Sequence, residues 1–174
     1  MAKAAPTIID LAHLSLSSGE GARLDVPIAL GSIEIAGQTY EPAPTGSDVR
    51  LDVSRLSQGY AFRLRLALAV EGPCMRCLED AVVGAEIDAR EVDQHDTDDE
   101  ELLSPYVEED RLDVGRWARD AAVLALPTQI LCRDDCAGLC PVCGESLNEA
   151  DPADHEHGGA GDPRWAKLRD IKLE

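Results

Sequence analysis

Cys140-Pro141-Val142-Cys143-Gly144 places two thiols three positions apart, with a proline ahead of the turn and a glycine where the backbone must fold back. A tetrahedral zinc ion needs each sulfur at about 2.3 Å from one point, and only a tight turn brings near neighbours in sequence that close. A second pair, Cys74-Met75-Arg76-Cys77, has the same spacing, and Cys132 and Cys136 stand just upstream of the first. All the cysteines therefore fall in short paired spacings, and metal binding is the chemistry that such spacings serve.

Six cysteines are also what a secreted disulfide framework supplies. Met1 to Asp10 carries no apolar core behind a basic start, so no export signal is expected and the cytoplasm is the expected location. In a reducing compartment, cysteines at these spacings bind metal or do redox chemistry more often than they pair. Structural zinc, one or two ions, is the leading expectation, with thiol redox chemistry and disulfides as alternatives.

The chain has 174 residues and a formal charge of −18. That length allows a domain with a real core plus a small metal-stapled appendage. Aromatic residues make up 3% of the sequence, so the core must be aliphatic. No apolar run approaches the roughly 18 residues of a membrane span. The negative charge disfavours non-specific binding to a phosphate backbone, where affinity comes from Lys and Arg displacing counterions. Basic proteins are the easier partners.

The elements that must position the cysteines are mainly strands. Strand-like stretches lie at Ile8 to Leu16 and Leu24 to Leu30, with a turn at Ser17 to Gly21, and Val49, Leu51 and Val53 alternate onto one face. The clearest strand puts Tyr60, Phe62, Leu64, Leu66, Leu68 and Val70 on one face and Arg63 and Arg65 on the other. After Cys77, Ala81, Val83, Ala85, Ile87 and Ala89 alternate with Gly84, Glu86, Asp88 and Arg90. The two runs predict an antiparallel hairpin with Cys74 and Cys77 at its tip, which is half a metal site.

Glu91 to Asp113 carries eleven acidic residues against the single base Arg111, which predicts a solvated, mobile loop. Its competing reading is a docking segment for a basic partner centred on Asp98, Asp99, Glu100 and Glu101. Asp113 reads as an N-cap to a helix whose apolar face is Val114, Trp117, Ala121 and Leu124, with Pro127 limiting its end. This helix is expected to cover the sheet. Asp162-Pro163 opens a short C-terminal helix through Trp165, Leu168 and Ile171, with Arg164, Lys167, Arg169 and Lys172 making it locally basic. The expected fold class is α+β. An antiparallel β-rich body, a sheet or partly open barrel, fills residues 1–130 with its covering helix. A zinc-binding segment and the C-terminal helix fill 131–174.

The run from Leu124-Ala125-Leu126-Pro127 through Cys132, Asp135-Cys136, Gly138 to Gly144 and Leu147-Asn148 to Asp162-Pro163-Arg164-Trp165 resembles the YceD-like family of large ribosomal RNA subunit accumulation proteins. Cys74 to Leu78 and the acidic linker stand in the same order in that family. The resemblance covers about the last two-thirds of the chain. It implies a bacterial cytoplasmic, non-enzymatic factor for accumulation or processing of 23S ribosomal RNA. Its implied partners are ribosomal assembly intermediates or a basic large-subunit protein, with direct RNA contact open.

Family members with the Cys-Pro-x-Cys-Gly turn usually carry a Cys-x-Cys pair after the Leu-Asn, where this chain has His155-Glu156-His157. Imidazole can replace thiolate on zinc. That grouping gives Cys140, Cys143, His155 and His157 in one site and Cys74, Cys77, Cys132 and Cys136 in the other. Two other partitions stand beside it: one joins Cys74/Cys77 to Cys140/Cys143 as in a zinc ribbon, the other joins Cys132, Cys136, Cys140 and Cys143. His13 and His95 have no ligand-like neighbours. The alternative function is a thiol-disulfide oxidoreductase or redox sensor using Cys74 and Cys77, which requires a lowered thiol pKa. A hairpin tip, with no helix after the first cysteine, argues against it.

Overall fold

The structure is a computed structural model that describes residues 7–43, 47–94, 97, 99–150, 155 and 157. The expected C-terminal helix, His95 and Asp98 lie outside the described residues.

Strict alternation of apolar and polar side chains builds the main sheet. Strand β1 is Ile8–Asp10, β2 Gly21–Ile28, β3 Ile33–Ile35, β4 Gln38–Ala43 and β5 Ser47–Leu56. Strand β6 is Gly59–Pro73, β7 Asp80–Asp93, β8 Val107–Glu108 and β9 Arg111–Asp113, and one α-helix among the described residues, α1, spans Val114–Ala125. All pairings are antiparallel. Strand β6 is the spine: β7 pairs with it from Tyr60↔Asp93 to Pro73↔Asp80, and β5 and then β4 pair with it in turn. Strand β2 extends the sheet beyond β5, and β3 beyond β4. A small second sheet has the order β1-β9-β8.

The face carrying Val49, Leu51, Val53, Tyr60, Phe62, Leu64, Leu66, Leu68 and Val70 is buried, as the alternation predicts. The opposite face is a lattice of arginines and aspartates. Arg63 donates to both carboxylate oxygens of Asp88 at 2.7 and 2.5 Å. Asp52 accepts from Arg23 at 2.6 Å and from Arg65. These pairs offset the like charges that the register sets directly opposite one another, Arg50 against Arg65 and Arg63 against Arg90.

Helix α1 is capped by Asp113, whose Oδ1 accepts the backbone N–H of Arg116 at 2.9 Å. Its buried residues are Val114, Trp117, Ala118, Ala121 and Ala122. Trp117 meets Phe62 of β6 edge to face, with ring centroids 6.4 Å apart. The expected face needs one correction, because Leu124 is 86% exposed. The buried stripe follows spacings of three and four from Val114, and at 3.6 residues per turn Leu124 stands roughly 90° from its centre.

Two strand expectations also change. Ile8 to Leu16 is a strand only to Asp10, whose carboxylate accepts the N–H groups of Ala12 and His13 and starts a 3-10 turn over Ala12–Leu14. Strand β2 begins at Gly21 and ends at Ile28, earlier at both ends than the apolar pattern suggests.

The acidic run is not simply a solvated loop. Strand alternation in β7 continues through Glu91 and Asp93, which turns both toward the packed side. Asp93 is 6% exposed and its Oδ1 accepts the Ser104 N–H at 3.1 Å. Gln94 N–H reaches Leu102 O at 2.8 Å, and Leu112 is fully buried between the paired ends of β1 and β8. Apolar residues interspersed among the acids hold the segment down.

Candidate metal centres

The hairpin of β6 and β7 delivers Cys74 and Cys77 at its tip. Tyr40, fully buried, braces the base: its hydroxyl donates to Pro73 O at 2.9 Å. Gly72 lies against its ring, where a Cβ would come within 2.5 Å of Cδ1. The tip itself is a compact turn, with Cys74 N–H bonded to Glu79 O at 2.7 Å and Leu78 N–H to Cys74 O at 3.0 Å.

The chain after α1 returns to this tip. Met75 N–H donates to Ile130 O at 2.9 Å, and Ile130, fully buried, holds the loop that carries Cys132 and Cys136. Arg76 Nη1 donates to Cys136 O at 2.9 Å, so Arg76 ties the two segments together and is more than a solvated turn residue. Cys74 Sγ lies 3.7 Å from Cys136 Sγ, and Cys77 Sγ lies 3.5 Å from Cys132 Sγ. A disulfide needs about 2.05 Å, and all six cysteines are free thiols. Four sulfurs at about 2.3 Å from a common centre stand about 3.8 Å apart along each tetrahedral edge. The four sulfurs here lie within 4.8 Å of one another, and three of the four residues are buried. The observed separations fit a four-thiolate cage.

Cys140 and Cys143 form a second turn built like the first. Cys140 N–H bonds to Glu145 O at 2.8 Å and Gly144 N–H to Cys140 O at 2.9 Å, which repeats the hydrogen bonds of the hairpin tip at the same offsets. The residue after the second cysteine has positive φ in both turns: 64° at Leu78 and 77° at Gly144. His155 Nδ1 lies 3.7 Å from Cys143 Sγ. One sulfur and one nitrogen of a tetrahedral zinc set stand about 3.6 Å apart. His155 Nε2 lies 3.8 Å from Glu145 Oε2, and His157 completes a group of four whose ligand atoms fall within 4.8 Å. This group is more open: Cys140 is buried, whereas Cys143 and His157 are exposed.

The thiols are electrostatically unequal. Burial opposes the Cys74 thiolate, but the backbone N–H groups of Cys77, Arg76 and Cys132 outweigh it and bring its pKa down to about 6. Burial, reinforced by the sulfurs of Cys77, Cys136 and Cys74, pushes Cys132 up to about 12. Burial likewise raises Cys77. In the second turn the N–H groups of Cys143 and Val142 hold Cys140 down at about 6. The Glu145 N–H favours the Cys143 thiolate, yet burial and the neighbouring Cys140 sulfur carry its pKa upward. Each group thus offers a ready thiolate beside thiols whose protons a cation would displace, and affinity for a cation must rise with pH.

The eight side chains singled out in the sequence are brought together as two groups of four, each able to hold a metal ion. Cys74/Cys77 and Cys140/Cys143 fall in different groups, and so do Cys132/Cys136 and Cys140/Cys143. A redox role for Cys74 and Cys77 meets an obstacle in their burial, 0% and 4% exposed, since a reactive thiolate must be reached by its substrate. His13 stands apart beside Asp10 on the surface. Asp99, Glu100 and Glu101 are exposed, and the Asp99 carboxylate also acts locally, capping the 3-10 turn Glu100–Leu102 by accepting the Glu101 N–H at 3.1 Å. The residues that sequence reasoning missed are Ile130 and Glu79, which carry no motif, whereas Asn148 stood in the Leu147-Asn148 pair with no structural role assigned to it.

Fold and site together define an antiparallel β-sheet protein with two Cys/His groups able to bind metal, one in the sheet's own hairpin tip and one in the following segment. The chain belongs to the YceD family: the family model described as "Large ribosomal RNA subunit accumulation protein YceD" matches residues 62–172, from β6 onward through both groups. It is also similar, at 31% identity over 182 aligned positions, to uncharacterised proteins of Mycobacterium tuberculosis and Mycobacterium bovis, covering 95% of this chain and 81% of each relative. A Mycobacterium leprae protein is 40% identical over 72 residues, 41% of this chain and 32% of its own length. No solved structure matches. Among the described residues no helix is long and apolar enough to cross a membrane.

Proposed function

We propose that this protein is a non-enzymatic, cytoplasmic ribosome-biogenesis factor that promotes accumulation or processing of large-subunit ribosomal RNA, and that zinc held by the two groups stabilises its binding surface. The family match carries the biological half of this reading. The converging thiols and imidazoles carry the metal half. Cys74, Cys77, Cys132 and Cys136 hold one ion, and Cys140, Cys143, His155 and His157 the other. Zinc fits because the donors are thiolates and imidazoles in four-membered sets, with the Glu145 carboxylate beside the second set, 3.9 Å from Cys143 Sγ and 3.8 Å from His155 Nε2.

Residues 131–150 support a structural role for the metal. The buried residues in this stretch are Cys136, Gly138 and Cys140, so the segment has no apolar core of its own, and small units without one rely on staples such as a structural metal. We therefore treat residues 1–130 as a self-supporting β body covered by α1 and residues 131–174 as a metal-stapled appendage. Its partners are assembly intermediates or a basic large-subunit protein. Acidic Asp98, Asp99, Glu100 and Glu101 attract the basic partner at range, so neutralising them together slows association more than it speeds dissociation.

The test combines two readouts in one set of strains. Deletion should lower mature large-subunit RNA relative to small-subunit RNA, and elemental analysis of the purified chain should find zinc. Cys74→Ser should lose zinc and lower large-subunit RNA together. Lowered large-subunit RNA with zinc and fold intact would point to Cys74 as a redox nucleophile and overturn the scaffold reading.

A further inference from the structure

We infer that the two groups fill in a hierarchy: the four-cysteine group stands on the sheet and holds a metal by itself, whereas the Cys140, Cys143, His155 and His157 group is held in position by the first and binds weakly when the first is empty. This rests on reading both groups as metal centres. Glu79 and Asn148 are the positioning residues that transmit the dependence.

The supports of the two groups differ in kind. Cys74, Cys77 and Cys136 belong to the same buried cluster as the sheet core. Their turn is fixed by the hairpin ends, the Met75–Ile130 hydrogen bond and the braced Tyr40, none of which involves the second group. The second turn has its internal hydrogen bonds and a bridge between Leu139 and Ser146, but among the described residues its hydrogen bonds to the rest of the molecule end on the first group's own segments. Ser146 Oγ donates to Glu79 Oε1 at 3.3 Å, and Glu79 follows Cys77 by two residues in the hairpin tip. Leu147 N–H donates to Gly138 O at 2.8 Å. Asn148 Oδ1 accepts the Ala137 N–H, and Asn148 O accepts from Arg133 Nη2, both at 2.9 Å. Arg133 follows Cys132 and Ala137 follows Cys136.

The covalent path is as short as the hydrogen-bonded one. Only Ala137, Gly138 and Leu139 separate Cys136 from Cys140, and Gly138, with φ of 80°, lies against Arg76, where a Cβ would be 3.3 Å from the Arg76 carbonyl oxygen. Arg76 in turn is bonded to Cys136 O. If the first group loses its ion, its like-charged or reprotonated sulfurs no longer hold the Cys132–Cys136 loop to the hairpin tip. Gly138, Ala137 and Arg133 then lose their positions, and with them the anchors of the second turn. Coupling free energies are reciprocal, so the second ion must strengthen the first by the same factor. The hierarchy comes from intrinsic affinity, which the sheet gives to one group and not to the other.

Titration of the purified full chain with Co(II) against a competing chelator reads each step by its thiolate charge-transfer bands, since a four-thiolate and a two-thiolate set differ in intensity. The expected wild-type result is two steps, the four-thiolate spectrum first. Cys143→Ser should keep that first step and lose the second. Cys132→Ser should lose the first step and weaken the second by at least about tenfold, within the usual range of allosteric coupling. The Glu79→Ala/Asn148→Ala double variant leaves every ligand in place and guards against simple misfolding: its first step should match wild type while its second weakens about tenfold. A Cys132→Ser chain that fills the two-thiolate group at wild-type affinity, or a double variant with an unchanged second step, overturns the hierarchy and leaves the metal reading standing. A wild-type chain that takes up no Co(II) overturns both.

Discussion

The two cysteine turns place different residues at one backbone position, and the difference predicts opposite sensitivity to substitution. Gly144 has φ of 77° and nothing within 4 Å of where a Cβ would stand. Gly144→Ala therefore meets no steric obstacle, and its cost is the left-handed backbone alone, about 1–2 kcal/mol for an L-residue. Because the strain exists only in the folded, metal-holding turn, it should appear in metal affinity as roughly a five- to thirtyfold loss. Leu78 already bears that strain at φ of 64°. Leu78→Gly relieves about 1–2 kcal/mol but adds about 0.5–1 kcal/mol of backbone entropy and removes a side chain that is 58% exposed, so it should be close to neutral. Zinc competition against a chromophoric chelator measures both: Gly144→Ala weakens one of two steps, and Leu78→Gly leaves both within about threefold, on the sum of those terms. A Gly144→Ala chain indistinguishable from wild type, or a Leu78→Gly chain weakened more than about tenfold, would refute the strain account. If Leu78→Gly keeps zinc and fold but lowers large-subunit RNA as deletion does, the exposed leucine is held in its strained conformation for a partner.

Gly72→Ala should cost about 1–3 kcal/mol by overpacking, because its Cβ would press 2.5 Å from the Tyr40 ring, and denaturant melts should show it. Trp117→Ala should cost about 3–5 kcal/mol, since Trp117 is 2% exposed between Phe62 and Tyr106. Hydrogen bonds from Arg23, helped by Arg65 against burial, hold Asp52 below its ordinary 3.8. The unfolded chain then binds the proton more readily, so this contribution is present above that value and lost as pH falls through the lower folded pKa. Asp52→Asn should flatten the acid limb of a stability–pH curve. Glu91 has the opposite sign: burial raises its pKa above 4.5, although Ser104 opposes this, so its contribution is lost as pH rises through the folded value, and Glu91→Gln should stabilise near neutral pH.

The main hairpin was legible because its two strands alternate without interruption over a length that no helix period matches, and a buried face must follow. The grouping of ligands was legible only with the family pattern beside it, since spacing alone permits three partitions of the same side chains. Strands β3 and β4 went unseen, although Ile33, Ile35 and Tyr40 flank an Ala36-Gly37 turn with positive φ at both positions, a two-residue hairpin of the commonest kind. The acidic run misled for a related reason. Its β8–β9 turn uses Glu109 and Asp110 at φ of 50° and 58°, where glycine or asparagine would have marked it, and the charge density concealed Leu112 and Val107 as packing residues. Leu124 shows the converse error, in which a residue of the right type at a plausible spacing stands outside the stripe.

What the sequence could not display is why the cysteines sit at two levels of support. A hairpin tip is rigid because fourteen successive register pairs hold it, from Tyr60↔Asp93 to Pro73↔Asp80, and a metal added there refines a turn that exists already. Among the described residues after Leu131 the one bridge is Leu139↔Ser146 and the buried positions are two cysteines and a glycine, so on the proposed reading metal supplies what packing does not. The same Cys-x-x-Cys geometry therefore does two physical jobs in one chain. On the proposed reading, metal at Cys74 and Cys77 clamps a loop onto a finished sheet, and metal at Cys140 and Cys143 steadies a turn that has only its own hydrogen bonds and one bridge.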